Sequence, residues 1–383
     1  MSKFNPTVEK GSKTKVVNLA GGESHSQSEK LEFVSILLTS FVQNEFYRDS
    51  DDTLKRLSSL IDKIDDKQFI AKSAIFARDR FYMRSITHAV SAILAKHISG
   101  QDWSKNFYQK VISRPDDMAE ILAYYNTLQT GKVKYPNAMK KGFAKAFDKF
   151  DNYQIAKWRL NNKEIKLIDI VNLVHPVPTT KNETSLKSLV NNDLKATMTW
   201  ESMLSAAGQD TESNEEVLEN KKEAWSELLN TGRIGYMALL RNLRNIIEQA
   251  PESIDRACEL LVNEKMISSS KVLPFRFMTA YEQIMNINST ESRKVLVAIE
   301  QAINVSCKNV PKFDGSTVVV LDTSSSMKSM GLKNNTPSKI GSLFASLLAK
   351  SNMCDVMTFD RDARYVTYDP NNSVISIRNS FGF

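Results

Sequence analysis

Apolar and polar residues alternate with the period of an α-helix over most of the chain. Apolar positions recur three and four residues apart in successive segments, and each such segment predicts one amphipathic helix. The clearest segments are residues 31–41, 53–64, 69–76, 86–98, 225–229, 237–247 and 295–303. Proline and glycine residues separate them, so the pattern predicts many short helices between Glu29 and about Ser306. Short helices with short connections are typical of stacked helix pairs, that is, of an α-solenoid whose repeats here have diverged in sequence.

The pattern changes from helices to strands at Asp314-Gly315. The β-branched run Ser316–Leu321 predicts a strand, and a helix is expected to follow from about Ser338, with Ser338 as its N-cap. Two further strands are predicted at residues 355–359 and 363–367. A strand, a helix and a strand in this order predict a parallel α/β unit.

The predicted α/β unit is short. Only about seventy residues follow Asp314, and a complete doubly wound domain needs roughly twice that number. We therefore expect residues 313–383 to form an incomplete domain whose first strand has one unpaired edge. Such an edge favours self-association, and we expect this segment to be less stable than a helical core ending near Pro311–Gly315.

Composition and terminal sequence place the chain in a broad class. Of 383 residues, 42% are hydrophobic and 25% are charged, as in ordinary globular proteins. No apolar run has the length of a membrane span, and the polar residues 1–28 lack a signal-peptide core and predict a flexible N-terminal arm. Cys258, Cys307 and Cys354 are far apart, which predicts reduced thiols in a cytoplasmic protein.

The positive charge is concentrated in one segment. The net charge is +7, and residues 132–166 alone hold ten Lys or Arg and three acidic residues. A clustered basic segment is the electrostatic footprint expected for a nucleic-acid partner. The alternative is a solvated face that acidic neighbours balance in the fold.

A row of lysines marks one face of a helix predicted from about Asn137 to Phe150. Three of them follow at four-residue spacing and one lies beside them: Lys141, Lys145, Lys149 and Lys140. Phenylalanines mark the opposite, buried side: Phe143, Phe147 and Phe150. This row could contact phosphates in a sequence-independent way. Lys157 and Arg159 extend it on either side of Trp158, which we expect to belong to the core although an exposed Trp could stack on a base.

A short motif after the first predicted strand has the chemistry of a cation site. Asp322, Ser324 and Ser326 form a D-x-S-x-S sequence at the carboxyl end of that strand, where open α/β sheets bind ligands. A carboxylate and two hydroxyls are hard oxygen ligands of the kind Mg²⁺ prefers. The alternative is a polar loop that caps the next helix.

The chain resembles two known families over nearly its whole length. The helical part resembles the TROVE module of the Ro ribonucleoprotein autoantigen family, and D-x-S-x-S resembles the metal-ion-dependent adhesion site of von Willebrand factor A-like domains. The segments that carry the first resemblance are Ala20–Glu23, Leu37–Thr39, Phe46-Tyr47, Ala77–Asp79, Met83–His88, Leu167–Pro176, Ala224–Leu229 and Met237–Asn245. A TROVE-like array followed directly by this strand and motif is a distinctive pairing.

The resemblance implies a fold and a set of partners. It implies a closed ring of HEAT-like helical repeats over residues 29–312, followed by a partial von Willebrand A-like, Rossmann-like domain over residues 313–383. It also implies that an outer surface binds small structured noncoding (Y) RNAs and that a central cavity accepts single-stranded ends of misfolded or decaying RNAs. The implied role is RNA quality control, often beside a 3′ exonuclease, with no DNA or membrane partner.

The resemblance also points to individual residues. The family histidine that matches His175 lies on its RNA-binding surface, although a histidine at a helix end could instead act as a C-cap. Arg84, Arg241 and Arg244 are further candidates for RNA binding, and we expect Asn242 to have a structural role. No motif for catalysis is present in the sequence, so we do not expect an enzyme.

The resemblance breaks off within the metal site. The family's site uses three loops, and the sequence contains only the first, so Mg²⁺ should bind weakly or not at all. Two alternatives to RNA binding stay open at this point. One is a metal-dependent protein-interaction scaffold, and the other is a nonfunctional truncated remnant.

Overall fold

The computed structural model describes residues 15–17, 21–40, 42, 49–195, 199–209, 213–272, 274–329 and 336–382. The chain forms two compact units, residues 1–197 and residues 198–383. The division therefore falls inside the segment 29–312 that the sequence predicts as one helical domain. The mainly helical character is confirmed, whereas closure of the helices into a ring of HEAT-like repeats stays a prediction.

In its described residues, the first unit is helical apart from one small antiparallel sheet. Strands β1 (Lys15–Val17) and β2 (Glu23–His25) pair within the segment predicted as a flexible arm. The helices are α1 (Glu29–Thr39), α2 (Ser50–Lys63), α3 (Lys67–Arg80), α4 (Ser85–Leu94), α5 (Ser104–Val111), α6 (Pro115–Thr127), α7 (Asn137–Ala146), α8 (Asn152–Lys157), α9 (Leu167–Val174) and α10 (Glu183–Val190). A 3-10 turn, Phe147–Lys149, follows α7.

Side-chain caps explain where several of these helices begin. Ser28 accepts a hydrogen bond from the Leu31 N–H at the start of α1, and Asp49 and Asp66 do the same for α2 and α3. Each cap satisfies a backbone N–H that has no partner within its helix. One continuous apolar core, which includes the fully buried Phe33 and Phe143, joins the helices of this unit.

The second unit combines helices with a three-stranded sheet. Its helices are α11 (Trp200–Ala206), α12 (Asn214–Asn230), α13 (Tyr236–Gln249), α14 (Ile254–Leu261), α15 (Glu264–Ser270), α16 (Pro274–Ile284), α17 (Thr290–Ser306), α18 (Ser326–Ser329), α19 (Pro337–Asn352) and α20 (Val374–Asn379). The strands are β3 (Val318–Asp322), β4 (Asp355–Phe359) and β5 (Ala363–Val366). Short 3-10 turns precede α14 and follow α17.

The sheet has the strand order β3-β4-β5. β3 and β4 are parallel with α19 between them in sequence, which confirms the predicted α/β unit, and β5 runs antiparallel to β4. Among the described strands, β3 pairs with β4 alone, and none pairs with its other edge, as predicted. One face of the sheet is also open, because Val318 and Val320 leave 49% and 54% of their surface exposed.

Helix α19 belongs to two cores at once. Leu343 and Leu347 are buried with residues of the preceding helices, and Val374 at the start of α20 joins them. Ala345 and Ala349, on the opposite side of α19, pack with Leu321 and the sheet. The predicted boundary at residues 312 and 313 thus marks the change from helices to strands but crosses a shared core.

Two local details differ from the sequence prediction. The N-cap of α19 is Thr336, whose hydroxyl accepts the Lys339 N–H, and Ser338 lies inside the helix. Pro337 at the first helical position explains the shift, because its fixed φ suits that position and it has no N–H to satisfy. Helix α20 was not predicted, since its six residues are too few to show a helical period.

The three cysteines, Cys258, Cys307 and Cys354, are free; Cys354 is buried and the other two are half-buried. Burial raises the pKa of the Cys258 thiol to about 11, which makes it a poor nucleophile. Among the described residues, no helix combines the length and the apolar character needed to span a bilayer.

The shared core leads to a prediction for limited proteolysis. Residues 311–314 are exposed, and they are held by hydrogen bonds between Asn352 and the backbone of Pro311 and Phe313. We expect a protease to cut here first, because exposed connecting segments are the usual sites of nicking. The two pieces should then co-elute in size-exclusion chromatography, since Leu343, Leu347 and Val374 keep them packed together. Separation of the pieces without denaturant would contradict the shared core.

Candidate functional site

The basic segment 132–166 covers α7, the 3-10 turn after it, α8 and the flanking loops. Most of its cationic side chains are exposed to solvent: Lys132, Lys134, Lys141, Lys145, Lys149, Lys157, Lys163 and Lys166. Lys140 and Arg159 are half-buried. The concentration of positive charge seen in the sequence therefore persists on the surface of the first unit.

Close packing of α7 on α5 fixes the direction of the lysines. A Cβ on Gly142 would lie 2.5 Å from the Tyr108 Cβ and 2.7 Å from the Lys105 carbonyl oxygen, so only glycine fits at this crossing. Phe143, Phe147 and Phe150 are buried on the same side, as predicted. Lys141 and Lys145 consequently face away from the core.

The prediction that Lys149 continues the row formed by Lys141 and Lys145 on one helix face is wrong. Helix α7 ends at Ala146, and the 3-10 turn carries Lys149 away from the helical face. The Lys149 ammonium donates to the Gln109 carbonyl and, at 2.8 Å, to the Ile112 carbonyl, and so caps the C-terminal end of α5. Desolvation lowers the pKa of Lys149. Its charge is therefore engaged within the fold.

Of the other cations near α8, some are also engaged within the fold and others are exposed. Arg159 donates to the Leu194 carbonyl at 2.8 Å, which ties the end of α8 to the segment after α10. Lys157 is exposed, and Lys145 is exposed but paired with Asp148. Trp158 is half-buried, and the Arg114 guanidinium carbon lies 3.7 Å from the centre of its ring. This cation–π contact covers one face of the ring.

A buried ionic network organises the arginines of the first unit. Asp117 is fully buried, and its carboxylate lies 2.8 Å from Arg78 Nη2, 3.2 Å from Arg84 Nε and 3.0 Å from His88 Nε2. It also accepts the backbone N–H groups of Ser113 and Arg114. Arg84, a predicted RNA-binding residue, thus serves as a structural ion-pair partner.

The neighbouring carboxylate extends the network to the surface. Asp116 accepts a hydrogen bond from Arg84 and forms a bidentate pair with Arg114 at 2.9 and 2.7 Å. Desolvation opposes ionisation of Asp117, but the His88 hydrogen bond and the Arg78 charge outweigh it and hold its pKa well below the usual range. The sequence shows the two acids in the first turn of α6, where they suit the helix dipole. Their partners Arg78, Arg84 and His88 lie 29 to 39 residues away in sequence, and the sequence analysis missed them.

His175 has an unusual backbone conformation. It ends α9 with φ = 47° and ψ = 64°, in the left-handed region, and its N–H donates to the Val171 carbonyl. Its side chain is exposed. The backbone of His175 therefore terminates the helix, while the imidazole is accessible to a ligand.

The candidates on α13 lie in the second unit. Arg241 is exposed, and Arg244 is exposed with its guanidinium 2.7 Å from Glu248. Asn242 is buried and donates to the Ala238 carbonyl within its own helix, which is the structural role expected of it.

The D-x-S-x-S loop brings two of its three oxygen ligands close to each other. Ser324 donates its N–H to Asp322 Oδ1 at 2.8 Å, and the Ser324 and Ser326 hydroxyls lie 3.1 Å apart. In the described part of the chain, no group of three or more His, Cys, Asp or Glu could hold a metal ion. The donor set suits Mg²⁺ in chemistry, but it supplies only part of an octahedral shell.

Comparison with known proteins identifies the family. The TROVE domain family model matches residues 23–212 and 190–333, which is most of the chain. The chain belongs to the TROVE family. TROVE proteins are RNA-binding ribonucleoprotein components and are not known as enzymes.

Individual relatives agree with this assignment. Telomerase protein component 1 is 23% identical over 337 residues in Mus musculus and 21% identical over 366 residues in Rattus norvegicus. These matches cover 67% and 70% of this chain but only 13% and 14% of the two relatives. In the crystal structure of the Deinococcus radiodurans RO (RSR) protein, a similar fold extends over 92% of this chain and 79% of that one, with a TM-score of 0.60 and 15% identity.

The TROVE match extends past the helices to residue 333. It therefore includes β3 and the D-x-S-x-S loop, beyond the boundary at residue 312 that the sequence predicts for the helical domain. The candidates whose side chains are exposed and do not hold the fold together are thus Lys141, Lys145, Lys157, His175, Arg241 and Arg244, and Lys140 is half-buried. Arg84, Lys149 and Arg159 make contacts within the fold.

The buried network predicts a specific pH dependence of stability. Replacing Asp117 with Asn should lower the free energy of unfolding by about 3–5 kcal/mol, because Arg78 is left buried without its counter-charge. The folded-state pKa of Asp117 is depressed, so its contribution is complete above about pH 4 and is lost as the pH falls below that value.

Thermal unfolding of wild type and Asp117→Asn from neutral pH to acid would measure this contribution. The difference between the two proteins should be constant at neutral pH and should shrink in acid. Asp62→Asn is the matched control, since Asp62 is exposed and pairs at the surface with Lys96 and His97. An equal loss of stability in both variants would contradict the dominance of the buried network.

Proposed function

We propose that this TROVE chain binds RNA as a protein component of a ribonucleoprotein. The observation that carries the proposal is the exposed basic surface of residues 132–166 in a chain of this family. Lysines spread along helices and loops contact phosphates without reading base sequence, so the surface fits an RNA of defined shape.

The finer assignment follows the family resemblance. We propose small structured noncoding RNAs of the Y type, and single-stranded ends of misfolded or decaying RNAs, as the ligands. The role would be RNA quality control in the cytoplasm, with a 3′ exonuclease as a companion and without DNA or membrane partners. The names of the mammalian relatives, which describe a protein component of telomerase, support assembly into a larger complex.

The proposal predicts different effects for exposed lysines and for a lysine that supports the fold. Replacing Lys141 and Lys145 with Gln should leave the melting temperature unchanged, because both are exposed and face away from the core. The affinity for a structured RNA should fall, and the slope of log affinity against log salt should become shallower by roughly 0.7–0.9 for each phosphate that the protein no longer neutralises.

Replacing Lys149 with Gln should have the opposite profile. It removes the cap of α5 and should lower stability by about 1–2 kcal/mol, with little effect on the salt slope. Lys55→Gln, an exposed lysine on α2, is the matched control. Fluorescence anisotropy between about 50 and 200 mM salt, together with thermal unfolding, distinguishes the three variants. An unchanged slope in the Lys141 and Lys145 variant would remove α7 from the interface.

A second candidate function has one observation in its favour. The Ser324 and Ser326 hydroxyls lie 3.1 Å apart in the loop that Asp322 begins, and a carboxylate with two hydroxyls suits a divalent cation, as a metal-dependent protein-interaction site would require. Water would have to fill the remaining positions of the shell. We therefore propose that Mg²⁺ binding here is weak and that it does not affect RNA binding.

Calorimetric titration of Mg²⁺ tests the loop directly. We expect no saturation below about 1 mM, because three oxygen ligands are too few for a tight site. Asp322→Ala should abolish the remaining heat, and Asp360→Ala is a matched control, since the Asp360 carboxylate is engaged with backbone N–H groups and Arg364. Tight binding, or binding that survives Asp322→Ala, would contradict the assignment.

A further inference from the structure

An exposed aromatic cluster lies at the C-terminal end of α3. Phe76, Phe81 and Tyr82 leave 53%, 53% and 52% of their surface exposed. The ring centroids of Phe76 and Phe81 are 5.5 Å apart, with the ring planes tilted by 58°. Large aromatic residues gathered at the surface indicate an interaction site, because isolated ones occur by chance but clusters rarely do.

Cationic residues flank this cluster on the same helical face. Lys72, Phe76 and Arg80 follow at four-residue spacing on α3, and all three are exposed. Arg80 lies 3.3 Å from the Asp79 carboxylate, but both side chains are about 70% exposed and such surface pairs are weak. We call Lys72, Phe76, Arg80, Phe81 and Tyr82 the aromatic–basic patch.

The backbone of Tyr82 is held in the left-handed region, with φ = 54°. A bulky L-residue pays roughly 1–2 kcal/mol there, whereas Gly or Asn adopts this conformation readily. The side chain of Tyr82 is exposed, so packing in the core does not explain why Tyr occupies the position. Strain of this kind is found most often where the side chain has a function.

The patch lies close to the basic segment. Arg78, near the end of α3, and the Ser113 N–H, just after α5, both donate to the Asp117 carboxylate, at 2.8 and 2.9 Å. Lys110 is exposed in the last turn of α5. The end of α3 therefore adjoins the cationic surface at the end of α5, and one extended polyanion could contact both.

We propose that the aromatic–basic patch binds single-stranded RNA, with the three rings stacking on bases and Lys72 and Arg80 contacting phosphates. Aromatic rings among cations match the alternating chemistry of an unpaired strand. A duplex fits less well, because its bases stack on each other and do not offer their faces. The inference rests on the proposed RNA-binding function and adds the place where bases are held.

Two oligomers separate stacking from phosphate contacts. One is an oligoadenylate of about twelve nucleotides, and the other is an abasic ribose-phosphate chain of the same length. The full chain should bind the oligoadenylate more tightly. Phe81→Leu keeps an apolar side chain but removes the ring, so affinity for the oligoadenylate should fall roughly 5- to 100-fold with no change for the abasic chain. Tyr365→Leu, an exposed Tyr on β5, is the matched control and should change neither.

Tyr82→Asn tests the role of the strained position. It relieves the backbone and should raise the melting temperature, while affinity for the oligoadenylate should fall as it does for Phe81→Leu. A gain in stability with a loss of binding cannot result from misfolding. A gain in stability with unchanged binding would overturn the role of Tyr82.

The outcomes distinguish this inference from the proposed function. If the wild-type chain binds neither oligomer and no structured RNA, the proposed function fails. If it binds structured RNA with a steep salt dependence but the patch variants match wild type on the oligoadenylate, the proposed function stands and the patch inference is overturned. The patch would then be free to contact a protein.

Discussion

The first unit is organised around one carboxylate, that of Asp117. A buried charge is unfavourable by several kcal/mol unless it is paired and fully hydrogen-bonded. Asp117 meets this condition by accepting from Arg78 on α3, from Arg84 and His88 at and within α4, and from two backbone N–H groups that precede α6. Helices α3, α4 and α6 and the loop before α6 must therefore come together before the Asp117 carboxylate can be buried with its partners.

The same network sets the position of the basic surface. Arg114 shares Asp116 with Arg84 and places its guanidinium over Trp158 at the end of α8. Lys149 then connects the basic segment to the end of α5, and Arg159 connects it to the loop after α10. A fraction of the positive charge thus holds the surface in place, and the rest, led by Lys141 and Lys157, is left to solvent. Charge counted from sequence overstates the charge that is available to a ligand.

The sequence was informative wherever a signal was local. Helical period located α2, α13 and α17, and the β-branched run located β3 and its parallel partner β4. It failed where the decisive contact is distant in sequence. Four-residue spacing placed Lys149 in a row with Lys141, but the chain leaves the α-helix at Ala146 and Lys149 meets carbonyls 37 and 40 residues away. The sequence likewise showed no sign that Gly142 is needed for packing. The atoms that a side chain there would meet belong to Tyr108 and Lys105 on α5.

The C-terminal segment shows how a single helix can serve two cores. One side of α19 carries Leu343 and Leu347 into the core of the preceding helices, and the other carries Ala345 and Ala349 against the sheet. The alanines pack with Leu321, and the leucines are buried among the preceding helices. Because both faces of α19 are buried, removal of the sheet would expose one apolar face and removal of the helices would expose the other. The stability of the three strands is therefore coupled to that of the helices before them, even though one face of the sheet is open and no described strand pairs with the outer edge of β3.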